Sequence, residues 1–397
     1  MPGRVKLAAV SELDHTVSAE DIVRIAFIDF IDWDYTPQTP RERPLGGTQS
    51  GLCYLAEAMA KQGHYVFLIN NVKKLERVRG VQCIPLTLDG PKLREIFNTI
   101  KADVLIVLSA SDAARQLRPW VPLGTRMYLW TGHASNQPHH EGLADLENKK
   151  AWNGFIFMGQ WQLDTVAEKY DLDKSNCVNL GMGIAPAFER VFSEDERIVD
   201  AMGEHPTLVY TSTPFRGLDI LVKCFPAIRE RVPNVQLRVF SSMKIYQMDD
   251  EADKFSQLYE TCRTTPGIDY VGPVPQPQLA RELKSATMLA YSNSFAETAC
   301  VAMMEAMASG CMIVSSHLGA LPETTAGYAR LLNEKPGTEA YEKAFVNQVV
   351  EALDAVSGGE RDAVEKHLQE QVGYCQEHYR WDAKVGVWIQ WLEKMAS

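Results

Sequence analysis

The chain has 397 residues, 46% of them hydrophobic, and a formal net charge of -11. That length suggests two or three domains, and the acidic balance argues against a nucleic-acid binder, which normally shows a basic face. Residues 1–185 carry 20 basic and 21 acidic side chains and residues 186–397 carry 20 and 30, so the acidity belongs to the second half. The eight cysteines form no C-x-x-C pair, which points to buried free thiols in a reducing compartment and no zinc site. The first twenty residues lack an apolar h-region, and no stretch approaches the ~20 apolar residues of a membrane span. The reading is a soluble, cytoplasmic protein.

Residues 1–22 are polar and read as loosely held. The first strand runs from Val23 to Phe30. A long loop follows, Ile31 to Leu45, with Pro37, Pro40 and Pro44. Gly46-Gly47-Thr48-Gln49 then opens an amphipathic helix over roughly 48–61, and Tyr65 to Asn70 is the second strand. This begins a doubly wound sheet, in which ligands approach the carboxyl ends of the strands. A Gly-Gly turn at a helix entrance lets backbone come close to an anion or a sugar. Lys73, Lys74, Arg77 and Arg79 form a small basic cluster, a solvated face or a weak peripheral contact with anionic lipid. Further strands are Val81 to Leu86, Val104 to Ser109, Arg126 to Trp130 and Gly154 to Met158, with helical patterns between most of them. Thr131-Gly132-His133-Ala134 follows one strand end, which puts His133 on the ligand side of the sheet. Its ordinary pKa near 6.5 permits hydrogen bonding and acid–base work. His139 and His140 read as exposed loop residues. Gly181-Met182-Gly183-Ile184-Ala185-Pro186 lacks the third glycine and the acidic residue of a dinucleotide fingerprint. A boundary near residue 186 fits it better.

Residues 189–205 are charged and irregular. A strand, Thr207 to Thr211, leads through Ser212-Thr213-Pro214-Phe215-Arg216-Gly217 into a helix over about 218–231. An arginine at a helix start opposes the helix dipole, which favours a functional role for Arg216. Val235 to Phe240 is the next strand, and a further one precedes Gly272-Pro273-Val274. A helix from Pro277 to Lys284 leads to the apolar run Ala286 to Tyr291. Next comes Phe295-Ala296-Glu297-Thr298-Ala299-Cys300-Val301, continuing to Glu305 and Gly310, and then a second apolar run, Cys311 to Val314. A helix is expected to start near Thr298 and stop at Gly310. Glu297 stands at its entrance and Glu305 lies about 12 Å along its axis, at ~1.5 Å per residue. The N–H groups of Thr298, Ala299, Cys300 and Val301 would meet an anion, and carboxylates accept hydrogen bonds from sugar hydroxyls. Helices fill 338–356 and 361–378, and an amphipathic tail carries Trp381, Trp388 and Trp391.

The stretch from Glu297 to Glu305 resembles the E-x7-E segment of the retaining GT-B glycosyltransferases. Gly183, Ile184 and Phe188 resemble that family's interlobe connection, and Arg216-Gly217-Leu218-Asp219 its Lys-Gly-Leu-Asp segment, with arginine in place of lysine. The common pattern has a second cation upstream; Thr211 and Ser212 stand there instead. Ala320 replaces the second glycine of the turn before Glu323, a residue expected to shape its loop. The resemblance implies an α/β fold of two Rossmann-like lobes, 1–185 on the acceptor side and 186–378 on the donor side. A terminal helix, 379–397, would cross back to the first lobe. It implies transfer of a sugar from a nucleotide-sugar donor to a hydroxyl acceptor of unspecified kind, with retention, no cofactor and no metal. Asp32-Trp33-Asp34 resembles the metal motif of the other main glycosyltransferase fold and is discounted as a short chance match. The implied catalytic residues are His133, Arg216 and Glu297. The implied donor contacts are Gly46, Gly47, Arg216, Val274 at the base, Glu297 at the sugar, Thr298 to Val301 at the diphosphate and Glu305 at the ribose.

The chemical difficulty is negative charge growing on the departing diphosphate while the sugar becomes oxocarbenium-like. The resemblance implies front-face attack without an enzymic nucleophile, so fixed positive groups at the diphosphate carry the step. Two alternatives stay open: a sugar-nucleotide epimerase or hydrolase of the same fold, and a non-catalytic sugar-nucleotide-binding subunit. The absent upstream cation keeps the second alive.

Overall fold

The computed structural model describes residues 22–248 and 253–396. The expectation for residues 1–21 therefore falls outside the described chain. The first lobe is built on β1 (Arg24–Asp29), β2 (Tyr65–Asn70), β3 (Glu76–Val78), β4 (Val81–Pro85), β5 (Val104–Leu108), β6 (Arg126–Thr131), β7 (Gly154–Phe157) and β8 (Cys177–Asn179). They form one sheet in the order β3-β4-β2-β1-β5-β6-β7-β8. All pairs are parallel except the edge hairpin of β3 with β4. The second lobe carries β9 (Thr207–Tyr210), β10 (Gln236–Val239), β11 (Ile268–Tyr270), β12 (Met288–Tyr291), β13 (Met312–Ser316) and β14 (Arg330–Leu332). Its sheet is parallel throughout, in the order β11-β10-β9-β12-β13-β14. Helices cover both faces of such sheets, so central strands need apolar residues on both sides. Val104-Leu105-Ile106-Val107-Leu108 satisfies this with every residue buried.

The helix Gly47–Lys61 is buried from Gln49 to Ala60. It lies between the first sheet and the terminal helix, Trp381–Ala396. At Gly51 a side chain would collide with Met182 and press on Trp381. The terminal helix sets Trp388 edge-on to Trp130, ring centres 5.1 Å apart, and Trp391 edge-on to Tyr128 at 4.8 Å. The last helix thus docks on the first lobe. Where the chain first leaves that lobe, Ile184 N–H donates to Tyr379 O at 2.8 Å.

The edge hairpin explains the basic cluster. Lys74 pairs with Glu76 at 3.2 Å, and Arg77 donates to Gly80 O. Arg79 reaches Glu57 at 2.8 Å, a buried carboxylate that also meets Arg41 and Lys61. Three of the four cations are thus engaged within their own lobe. The loop Ile31–Leu45 contains a short helix, Thr39–Glu42, with Pro40 in its first turn, where a missing N–H costs nothing.

Candidate active site

A cavity of about 600 Å³ opens between the carboxyl ends of the two sheets. All eleven residues singled out in the sequence line it: Gly46, Gly47 and His133 from the first lobe, and Arg216, Val274, Glu297, Thr298, Ala299, Cys300, Val301 and Glu305 from the second.

Arg216 ends a 3₁₀ turn, Pro214–Arg216, that follows β9. Gly217 next to it has φ +99°, and a side chain there would collide with Ser292 O. Only glycine suits that backbone and that approach, so the turn carrying Arg216 is pressed against the loop carrying Glu297. The guanidinium Nη1 donates to both carboxylate oxygens of Glu297, at 2.9 and 3.0 Å. Tyr291 O–H donates to the same carboxylate at 2.6 Å. The backbone of Glu297 is fixed from the other side. Ala320 N–H donates to Glu297 O at 2.8 Å, and Gly319, at φ +63°, packs so close that a Cβ would come within 2.5 Å of that oxygen.

The helix carrying Glu305 runs from Val301 to Ala308, with Cys300 as its cap. The expected start at Thr298 is therefore corrected by three residues. Tertiary contacts override the local pattern: Thr298 Oγ1 donates across the cleft to Gly132 O at 2.8 Å, and Glu297 is held by the Gly319 turn. Met303 and Met304 N–H donate to Cys300 O, which leaves the earlier N–H groups of the helix at the cleft wall. Glu305 is buried, and burial pushes its carboxyl up to about 8, against the pull of the Gln276 side chain and the Ala185 backbone.

His133 lies opposite. Burial first, then His139, His140 and Arg216, push its imidazole down to about 3. Its ring is thereby favoured in the neutral form, the form that can exchange hydrogen bonds with a hydroxyl. His139 stacks on it at 3.5 Å, with ring planes 6° apart. His140 is not an exposed loop residue: it is fully buried and shares a 2.9 Å hydrogen bond with Thr131 Oγ1. The amide of Gln162 donates to Thr131 O and His133 O and fixes the loop.

Sequence reasoning missed five contributors. Asp29 ends β1, Ser109 follows β5, and both line the cleft. Trp33 and Tyr246 stack across the cleft from opposite lobes, centres 5.7 Å apart. Glu323, expected to shape its own loop, accepts from Trp161 N–H of the first lobe at 3.1 Å. A polar residue directly after an apolar strand was the available signal for Asp29 and Ser109. Nothing local could pair Trp33 with Tyr246. Asp32, beside Trp33, accepts from the Asn71 amide at 2.6 Å. Among the described residues no three histidines, cysteines or carboxylates are grouped to hold a metal ion, and Arg216 is the only lysine or arginine lining the cleft.

Residues 205–354 match the family described as Glycosyl transferases group 1. That match covers most of the second lobe and none of the first. A D-inositol 3-phosphate glycosyltransferase of Corynebacterium glutamicum is 28% identical over 153 residues, 38% of this chain. The match spans only 36% of that relative's length. The whole chain has the GT-B fold. It superposes on a glycosyltransferase from Rickettsia africae with a TM-score of 0.69 over 94% of this chain and 98% of that one, at 11% identity. It superposes on Anabaena HepE in complex with UDP and glucose with a TM-score of 0.64 over 93% and 99%, at 11% identity. The residues matched to that family thus include Arg216, Glu297 and Glu305 on one wall, and the other wall comes from the first lobe.

Proposed function

We propose that the protein is a retaining, metal-independent glycosyltransferase that moves a sugar from a nucleotide-sugar to a hydroxyl acceptor. The observation that carries this is the Arg216–Glu297 pair beside the open end of the Val301–Ala308 helix, facing His133 across the cleft. A planar guanidinium beside a helix N-terminus suits a diphosphate. When the donor enters, its phosphate oxygens share Arg216 with Glu297. The freed carboxylate oxygen then accepts from a sugar hydroxyl. In this reading Thr298 to Val301 line the diphosphate, Glu305 holds the ribose, and Val274 with the backbone of Gly46 and Gly47 frames the base and the sugar. His133, neutral, hydrogen-bonds the transferred sugar. The departing diphosphate takes the acceptor's proton, and Arg216 with the helix entrance stabilises the charge that grows there. Contact between the lobes, through Thr298 to Gly132 and Glu323 to Trp161, excludes water from the reacting sugar. The eight free cysteines support a cytoplasmic location.

A second reading rests on the single cation lining the cleft: a sugar-nucleotide-binding subunit without turnover. One experiment separates the two. Melting curves are recorded with UDP-, GDP-, ADP- and dTDP-sugars, with and without EDTA, and nucleoside diphosphate release is followed with each ligand that binds. A donor at ~100 times its Kd raises stability by about 2.7 kcal/mol. We expect one base to stand out, EDTA to change nothing, and release to accompany transfer. Binding with no release would favour the second reading, and an EDTA-sensitive shift would end the metal-independent one.

A further inference from the structure

The proposed reaction leaves the acceptor open, and the first-lobe wall narrows it. That wall is built from Asp29, Trp33, Ser109, His133 and Gln137, together with the entrance of the Gly47–Lys61 helix. Among the described residues it contains no lysine or arginine. It does contain a buried carboxylate. Asp29 is 3% exposed, and its three donors are all neutral: Ile31 N–H to Oδ1 at 3.1 Å, Tyr35 O–H to Oδ2 at 2.7 Å and the Gln49 amide to Oδ2 at 3.2 Å. Among the described residues no lysine or arginine forms an ion pair with it. One lone pair of Oδ1 is still open to an incoming hydroxyl.

The other polar groups of the wall also suit hydroxyls. Ser109 Oγ and His133 Nδ1 are buried and have no hydrogen-bond partner. Ser109 sits at φ +56°, an uncommon conformation for a residue with a side chain. Such strain gathers where a side chain must be aimed at a ligand. Space at the helix entrance is narrow above Gly46, where a methyl group would lie 3.1 Å from Gln49 Oε1, 3.3 Å from the Trp33 ring and 3.4 Å from the Tyr246 ring. The Trp33 ring, stacked on Tyr246, adds apolar surface beside these polar groups.

Resting on the glycosyltransfer reading, we infer that the acceptor is an uncharged sugar or polyol whose hydroxyls meet Asp29 and Ser109, and that phosphorylated acceptors are rejected. A phosphate placed here meets a carboxylate and finds no cation. Phosphate sites are normally built from arginine or lysine, and like charges brought together at an interface select against the wrong partner. The Corynebacterium relative, by its name, acts with an inositol 3-phosphate, so this chain separates from it on the acceptor side.

The test uses the full chain saturated with the nucleoside diphosphate whose sugar gives the largest melting shift, and saturation-transfer NMR on matched probes: glucose and glucose 6-phosphate, fructose and fructose 6-phosphate, myo-inositol and myo-inositol 3-phosphate. We expect at least one neutral member to bind at least tenfold more tightly than its phosphorylated partner. We expect Asp29→Asn to shrink that ratio several-fold, a change in charge selectivity that a merely structural role would not produce. Equal or tighter binding of the phosphorylated members, binding of no neutral member, or an unchanged ratio in Asp29→Asn would each overturn the inference. The nucleotide titration in the same samples keeps the two readings apart. Failure to bind UDP or any nucleotide-sugar defeats the transferase reading, whereas donor binding with preference for a phosphorylated acceptor defeats only this one.

Discussion

The two walls of the cleft are built on opposite electrostatic plans. The second-lobe wall is organised around a full ion pair, Arg216 with Glu297, and an open helix end. The first-lobe wall holds neutral imidazoles, an aromatic ring, an unpartnered hydroxyl and one carboxylate that no cation offsets. A cation beside a helix entrance prepares a place for negative charge. A wall without cations keeps negative charge away. The same topology, the carboxyl end of a parallel sheet, supports both plans because the loops alone set the charge.

The comparison breaks most visibly at Arg216. Arg216→Ala removes the only lysine or arginine lining the cleft among the described residues. Losing one preorganised donor to a charged transition state costs ~10²–10³ in kcat, and that is the expected loss. The same change strands the buried Glu297 carboxylate, so the melting temperature should fall as well; removing one partner of a buried pair costs about 3–5 kcal/mol, less here because Arg216 is partly exposed. Arg216→Lys restores charge without the planar fork and should recover part of the rate. Full activity in Arg216→Ala would show that the charge plan of this wall is irrelevant to turnover.

A smaller effect is expected at His133, where the comparison can be sharpened. If the first-lobe wall carries no positive charge, His133 must not titrate between pH 5 and 8, because burial and its neighbours hold its imidazole down at about 3. Imidazole NMR of the whole protein should show its resonance unmoved in that window. His133→Asn keeps a neutral hydrogen-bonding group and should lose about tenfold in kcat, the ~1.4 kcal/mol of one hydrogen bond. A His133 resonance titrating near 6.5 would put a positive charge on the wall and undo the contrast.

The sequence and the structure diverge where contacts come from far along the chain. The central strands and the long helices were legible because buried parallel strands are continuous apolar runs: Tyr65–Asn70 and the helices Leu218–Arg231 and Arg361–His378 fall where the pattern puts them. The residues of the cleft were legible where they sit in a spaced motif, as Glu297 and Glu305 do. The start of the Val301–Ala308 helix was not, because a hydroxyl bond to Gly132, 166 residues away, holds Thr298 out of it. The burial of His140 and the stacking of His133 on His139 were likewise invisible, since both depend on how the loop after β6 folds back. Trp33 meets Tyr246 only when two lobes close on each other.

The smallest expected effect concerns Glu305, and its sign can be worked out in full. Burial holds its carboxyl at about 8 in the folded protein, whereas an exposed glutamate titrates near ~4.3. The folded state therefore binds the proton more tightly than the unfolded one. By linkage, stability falls with pH wherever the folded state holds more protons. The contribution is fully present below about pH 4, declines through the interval, and is lost as pH rises past about 8. Glu305→Gln mimics the protonated acid and cannot titrate. Near pH 5 the two proteins should melt within a degree or two of each other, and with rising pH wild type should weaken relative to the variant. The other carboxyls raised by burial, Asp29 and Glu323 among them, are common to both proteins and cancel in the difference. Melting curves of the pair at pH 5, 6, 7, 8 and 9 measure it directly. A difference that stays flat, or grows in favour of wild type at high pH, would mean that Glu305 is ionised in the folded state. The second wall would then carry two carboxylates, Glu297 and Glu305, against one arginine.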